Sequence, residues 1–277
     1  MPKILTTNQV EQFQEQGFVD CVDVMSEDEA NSYLLKLEQA ERDHSEHINA
    51  EKRNNAHLCF TFLDELAFHP RIIGAVEDLL GPDFALWASV LFIKEPSSPH
   101  FVSWHQDATY MGMSNHDFVT PWLALSPSNI KTGCMSMIPG SHKSHIQPHA
   151  DTFADDNILT RGQQVESVDE TTAVDLILKP GQMSLHHGEV IHGSKPNQSD
   201  TRRVGFALQS YMRPEVMQLM GDNYWLDIQG NNDRGQKSIS LSRPTADVTL
   251  ENIKMRNIVD QNLAEILYHG AKKRRQY

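Results

Sequence analysis

Between Phe84 and Arg213 the chain is a succession of short apolar runs, each cut off by Gly, Pro, Asn, Asp or Ser. The runs are Ala85 to Ile93, Trp122 to Ser126, Met135 to Ile138, Ala173 to Leu178, Gln182 to His186 and Val204 to Tyr211. Segments this short bury too little surface to stand as helices, and their regular spacing with turn residues between them is the pattern of a sandwich or barrel. The chain is therefore expected to be mainly β, with its helices outside the β core.

The flanks read as helix. Thr7 can N-cap a segment carrying Val10, Phe13 and Gln14 that Gly17 would end. Phe18 to Val24 then alternates like a strand. Ser26-Glu-Asp-Glu29 is a capping-box pattern ahead of Ala30, Tyr33, Leu34, Leu37 and Ala40 at helical spacing. A further helix fits Pro70 to Leu80, stopped by Gly81-Pro82, and the tail from Thr249 to Ala271 returns to helix. Without repeats or a flexible linker, the 277 residues fit one domain: a helical part over about 1–83, a β core over about 84–213 and a helical tail over about 249–271.

Charge narrows the partners. A formal net charge of −13 disfavours nucleic acid, which needs clustered Lys and Arg to neutralise phosphates. The one basic run, Lys272 to Arg275, is read as a solvated helix end. No apolar stretch approaches the eighteen or so residues of a membrane span, and Met1-Pro-Lys-Ile-Leu-Thr-Thr lacks the plan of a signal peptide. Cys21, Cys59 and Cys134 are odd in number and far apart, which argues against a disulfide framework and for a reducing compartment. The expectation is a cytoplasmic protein whose partner is a small molecule.

Two segments carry chemistry. Trp104-His105-Gln106-Asp107 follows a predicted strand, and residues two apart in extended backbone face one side, so His105 and Asp107 can converge on one ion. Downstream, an apolar strand delivers His192 into Gly193-Ser-Lys-Pro-Asn197. His186 and His187 are alternative third ligands; His192 is preferred because it leads directly into the turn that returns the chain towards Arg203. Two His and one carboxylate on one face leave three positions open, which suits Fe(II) oxygen chemistry better than a closed structural zinc site. A hydrolytic zinc reading would want a general base close by, and no HExxH motif is present.

His105-Gln-Asp107, His192-Gly-Ser-Lys-Pro-Asn-Gln-Ser199 and Arg203 together resemble the phytanoyl-CoA dioxygenase family of Fe(II)/2-oxoglutarate oxygenases. Gly133-Cys-Met-Ser-Met-Ile-Pro-Gly-Ser-His142 and the opening Gln12-Phe-Gln-Glu-Gln-Gly-Phe18 resemble the same family, so the likeness runs from about residue 5 to residue 213. The resemblance implies a double-stranded β-helix, or jelly-roll, core. It implies iron held by His105, Asp107 and His192, with 2-oxoglutarate and dioxygen as co-substrates. It implies that Arg203, eleven residues after His192, grips the far carboxylate of 2-oxoglutarate. A guanidinium can do so with two parallel hydrogen bonds. Ser194, Gln106 and Trp122 match positions lining the co-substrate pocket, and Leu91 matches an apolar wall position. Related halogenases lack the carboxylate of the triad, so Asp107 implies hydroxylation.

On substrate the sequence says less. Asn54 to Phe60, with Asn55 and His57, and Tyr110 just after the metal motif are expected near the mouth of the site. Ser103 to Tyr110 with Arg161-Gly-Gln163 resembles a bacterial small-molecule branch of the family, which implies a small polar or zwitterionic substrate such as 2-aminoethylphosphonate. An acyl-CoA substrate and a metal-binding jelly-roll without turnover are the competing readings.

Overall fold

The computed structural model describes residues 2–234 and 238–274. Helix α1, Thr7–Gln16, starts one residue earlier than expected: Thr6, not Thr7, is the cap, with Gln9 completing a capping box. Gly17 ends it with φ of 87°, a left-handed turn that costs glycine nothing. Strand β1 is Phe18–Asp23, and helix α2, Glu27–Asp43, begins at the expected Ser26–Glu29 capping box. A short helix α3, Thr61–Ala67, which the sequence reading passed over, precedes α4, Pro70–Leu80. The long tail helix α5 spans Leu250–Leu267 and is capped by Thr249. Arg275, the last of the basic run, lies outside the described residues.

Two facing sheets form a jelly-roll core. The run Ala85–Ile93 is not one strand but two, β2 (Phe84–Leu86) and β3 (Val90–Lys94). The break has a cause: Asn55 takes both ladder groups of Ser89, its backbone N–H donating to Ser89 O at 2.7 Å and its side-chain oxygen accepting from Ser89 N at 3.1 Å. Then follow β4 (Val102–His105), β5 (Phe118–Ala124), β6 (Met135–Met137), β7 (His149–Asp151), β8 (Gln163–Val165) and β9 (Val174–Asp175). The rest are β10 (Gln182–His187), β11 (His192–Ser194), β12 (Arg203–Ala207), β13 (Tyr211–Met212), β14 (Asn223–Gln229) and β15 (Ser238–Ser240). The major sheet runs β1-β10-β5-β13-β2-β14-β15, with β12 between β5 and β3, and the minor sheet runs β4-β11-β6-β9. The β region thus extends past residue 213, because β14 pairs with β2, and the strand expected over Phe18 to Val24 joins the major sheet as β1, beside β10.

Side-chain parity sorts each strand of the major sheet. Leu91 and Ile93 of β3, Val119 and Leu123 of β5, Met183 and Leu185 of β10, and Val204 and Phe206 of β12 join one apolar cluster with Leu37, Leu63, Leu66, Ile72 and Val76 from the helices. The alternate residues, Phe92, Thr120, Trp122, His186, Arg203 and Ala207, face the space between the sheets. Helices therefore cover one face of the sheet, and the other is free to line a site.

Candidate metal centre

His105 and His192 arrive by strand pairing. They are Cα partners across β4 and β11, the closing residue of one strand opposite the first residue of the other, with ring centroids 4.1 Å apart. Asp107, two residues on, begins a short helical turn and lies between them: its Oδ1 is 3.3 Å from His105 Nε2 and 3.8 Å from His192 Nε2. The three donor atoms lie within 4.8 Å of one another, as one ion requires.

Hydrogen bonds fix which nitrogen each imidazole presents. His105 Nδ1 lies 2.9 Å from Ser103 O and 3.0 Å from His192 O, and His192 Nδ1 lies 3.0 Å from Val190 O. A carbonyl can only accept, so each Nδ1 carries a hydrogen and each Nε2 faces Asp107 and the centre. Burial, followed by the neighbouring His105, holds His192 well below the usual histidine range. Burial by itself would raise Asp107, but His192, His105 and His186 outweigh it and hold the carboxyl well below its usual range. Neutral imidazoles and an ionised carboxylate are the forms that ligate, and the donor set fits a divalent ion with open positions.

His186 is the histidine beside this triad. Its Nε2 is 3.3 Å from Asp107 Oδ2, the oxygen turned away from His105 and His192, and its ring lies 4.7 Å from that of His192. His187, on the opposite parity, packs against Phe13 and His142 instead.

An inner cavity of about 40 Å³ runs from the triad to Arg203, bounded by Phe92, Thr120, Trp122, Met135, Ser194 and Ala207. Arg203 is 2% exposed and stacks 5.1 Å from the Trp122 ring. Gly205 allows this: a Cβ there would fall inside the van der Waals envelope of the indole. Arg203 donates to Gly133 O at 3.2 Å, while its Nε has no protein partner. Burial lowers its guanidinium to about 10, leaving it charged near neutrality. Arg202, as strand alternation demands, faces outward into ion pairs with Glu41 and Glu95 at 2.9 Å. A third cation, which the sequence reading overlooked, stands beside Arg203: Lys94, the residue that closes β3 after an apolar run. A lysine ending a buried strand was the available signal.

Four expected site residues lie elsewhere. Gln106 points away from the cavity, because residues 105 and 107 share one side and 106 takes the other. Its amide nitrogen donates to Glu189 O at 2.6 Å and His145 O at 2.9 Å, and its oxygen accepts from Gln147 N at 2.8 Å. His57 is 2% exposed and bonded to Ser89 Oγ at 2.7 Å, and Asn55 spends its side chain on Ser89 and Asp260, so neither borders the metal. Leu91 has its side chain in the helix-facing core, as parity requires, and Phe92 takes the inner wall.

On the far side of His105 and Asp107 lies an outer cavity of about 240 Å³. Tyr110 borders it, as expected, with Phe92 and Gln209, which also line the inner cavity, at its inner end. Its far wall comes from α5 through Asp260, Leu263, Ala264 and Leu267. That helix is tied across the cavity at both ends. Arg256 donates to Asn54 O, Lys52 O and His47 O at 2.6 to 2.9 Å, while Arg161 donates to His269 O and Tyr268 Oη to Thr160 O, each at 3.1 Å. The position between His105, Asp107 and His192 is thus reached from two sides, by an inner pocket ending in cations and by an outer one roofed with apolar residues.

The phytanoyl-CoA dioxygenase (PhyH) family matches residues 13–205, and the chain belongs to that family. A probable alpha-ketoglutarate-dependent hypophosphite dioxygenase of Stutzerimonas stutzeri is 30% identical over 187 residues, 67% of this chain and 65% of that protein. The peroxisomal phytanoyl-CoA dioxygenase of Homo sapiens is 24% identical over 168 residues, 59% of this chain and 47% of that protein. Each match spans less than two thirds of the relative's own length. Among solved structures, the apo form of the non-heme monooxygenase ThoJ is 30% identical with a TM-score of 0.84, covering 96% of this chain and all of that one. CytC3 with Fe(II) and alpha-ketoglutarate, 22% identical with a TM-score of 0.60, covers 80% of this chain and 82% of that one and shares the fold. Helix α5 lies beyond the family match. No helix among the described residues is long and apolar enough to cross a membrane.

Proposed function

We propose that the chain is an Fe(II)/2-oxoglutarate-dependent dioxygenase that hydroxylates a C–H bond of a small polar metabolite. The observation that carries this reading is the buried Arg203 at the end of the cavity that begins at His105, Asp107 and His192. A metal store has no use for an uncompensated guanidinium behind its metal. A co-substrate that chelates the iron with one end and carries a carboxylate at the other does.

Iron with bound 2-oxoglutarate would supply the oxidising power, spending one oxygen atom of dioxygen on succinate and one on the substrate. The residues of the chain perform the rest. His105, Asp107 and His192 hold the metal, each imidazole turned by its Nδ1 hydrogen bonds so that Nε2 faces the ion. Arg203 and Ser194 fix the far carboxylate, and Trp122 walls the chain of the co-substrate and excludes water. Substrate would approach from the outer cavity, whose inner end is formed by the side of His105 and Asp107 away from Arg203.

For the substrate itself, 2-aminoethylphosphonate or a related organophosphonate is the compound to try first. The outer cavity is small, with Arg53 on its wall for an anion and Asp260 and Glu51 for an amine. A relative described as acting on hypophosphite points towards phosphorus oxyanions as well. A second reading rests on the apolar side of the same cavity. Met111, Leu159, Leu263 and Leu267 would suit an aliphatic chain, as in an acyl thioester.

The test is anaerobic addition of Fe(II) and 2-oxoglutarate to the apoprotein, followed by release of succinate in air across aminophosphonates, amino acids and acyl-CoA thioesters. The expected result is a weak visible charge-transfer band, with succinate release stimulated by an aminophosphonate. Absence of the band would remove the cofactor reading, and stimulation by acyl-CoA alone would replace the substrate.

A further inference from the structure

Lys94 and Arg203 are Cα partners across β3 and β12, so both side chains leave the sheet on the same face, into the same interior. Lys94 is 0% exposed and Arg203 2%. Like charges directly opposite one another on a sheet repel, and in a dry interior the repulsion adds to the desolvation of each. Among the described residues no carboxylate pairs with either cation. The ionisable groups facing Lys94 are Arg203 on β12 and the thiol of Cys134, just before β6, which burial pushes up to about 11 and so leaves neutral. A chain that keeps two basic side chains facing one another here without a carboxylate has a place for an anion.

The hydrogen bonds around Lys94 say how it would serve that anion. Its Nζ donates to Ser194 Oγ at 2.7 Å, to Gly133 O at 3.3 Å and to Lys195 O. Once protonated, its ammonium has three hydrogens and no lone pair, so these three acceptors use it completely. Ser194 Oγ, having accepted from Lys94, keeps its own hydrogen to give. Ser194 lines the inner cavity, and among the described residues no protein acceptor takes that hydrogen.

We propose that Lys94 is a positioning residue of the co-substrate pocket, which points the Ser194 hydroxyl at the far carboxylate of 2-oxoglutarate and becomes protonated as that carboxylate binds. The inference rests on the 2-oxoglutarate reading above. Burial, and after it Arg203, pushes the Lys94 ammonium down to about 6, so near pH 7.5 most molecules carry a neutral amine. An anion in the cavity favours the charged form and draws a proton from solvent. Uptake is therefore largest above pH 6 and fades below it, where Lys94 already holds its proton.

The test is calorimetry of 2-oxoglutarate binding to the Ni(II)-loaded protein at pH 7.5, in phosphate and in Tris, whose ionisation enthalpies differ. The wild type should take up close to one proton per 2-oxoglutarate. Lys94→Met should lose that uptake and bind 2-oxoglutarate about tenfold more weakly, with its affinity for Ni(II) unchanged. Pyruvate, which has the chelating end without the far carboxylate, should bind the wild type with no uptake, a comparison that holds even if the variant does not fold. Equal uptake with pyruvate and 2-oxoglutarate, or undiminished uptake in Lys94→Met, would overturn the role of Lys94 while leaving the co-substrate in place. A Ni(II)-loaded wild type that binds no 2-oxoglutarate would overturn both.

Discussion

Asp107 divides its two oxygens between two tasks: Oδ1 faces His105 and His192, while Oδ2 lies 3.3 Å from Nε2 of His186. A carboxylate held this way offers one oxygen to a metal and is kept from rotating by the other. His186 comes from β10 of the major sheet and Asp107 from the turn after β4 of the minor one, so the contact joins the two sheets at the centre.

Loss of that contact should loosen the metal. His186→Leu is expected to weaken Co(II) binding by about tenfold or more, the usual effect of removing a partner that orients a ligand. His186→Gln, whose amide N–H can still donate, should recover part of it. Titration of the visible Co(II) spectrum against a competing chelator measures both, and an unchanged affinity in His186→Leu would show the contact to be idle.

Trp122 stands over Arg203 only because residue 205 has no side chain. Gly205→Ala should displace the indole and weaken 2-oxoglutarate binding to the Ni(II) protein by about tenfold or more, leaving Ni(II) affinity intact. Paired calorimetric titrations separate the two, and equal loss of both would mean that the barrel itself had shifted.

Gln106 gives the opposite expectation. Since its amide is spent on Glu189, His145 and Gln147, Gln106→Ala should cost about 1–3 kcal/mol in a denaturant melt by stranding those partners. Affinity of the folded protein for 2-oxoglutarate should stay within about twofold of wild type. A large loss of co-substrate affinity at unchanged stability would return Gln106 to the pocket.

Acid should unfold the protein partly through buried histidines. Burial lowers His57 to about 3 and His187 to about 4. Below pH 6.5 the unfolded chain binds protons that the native one refuses, so stability falls as pH drops towards those values; for His57 the full effect is on the order of 5 kcal/mol. His57→Gln, which can still bond Ser89, should flatten the fall of the urea midpoint between pH 7 and pH 4.5. A profile as steep as wild type would assign the acid loss elsewhere.

Helix α5 should govern substrate and not co-substrate. Leu267→Trp, which fills the outer cavity, is expected to abolish the extra succinate release evoked by a substrate found in the panel. The slow release seen without substrate should persist. A fall in both rates would place the effect at the metal.

The sequence by itself pointed to the triad and the class of fold through local rules, while the role proposed for Arg203 came from the family resemblance. His105 and Asp107 are two apart on extended backbone, Arg202 and Arg203 must part to opposite faces, and short apolar runs between turn residues can only be strands. The same rule of two turns Gln106, between His105 and Asp107, out of the pocket, but for Leu91 parity states only that neighbours differ, not which face is the inside. Only the tertiary structure decided that. It set helices on the face holding Leu91, Leu123 and Phe206, and so gave Phe92, Lys94, His186 and Arg203 to the interior. Asn55 and His57 were placed by long-range bonds to Ser89, and α5 by Arg256 and Arg161 reaching loops more than a hundred residues away. Such contacts leave no periodicity in the chain. The opposition of Lys94 to Arg203 is of the same kind, since two cations nearly 110 residues apart meet only when β3 and β12 pair in this register. Metal ligands are legible because one short motif must bring them close. What surrounds them is written in the pairing of strands, and pairing is settled by the whole core at once.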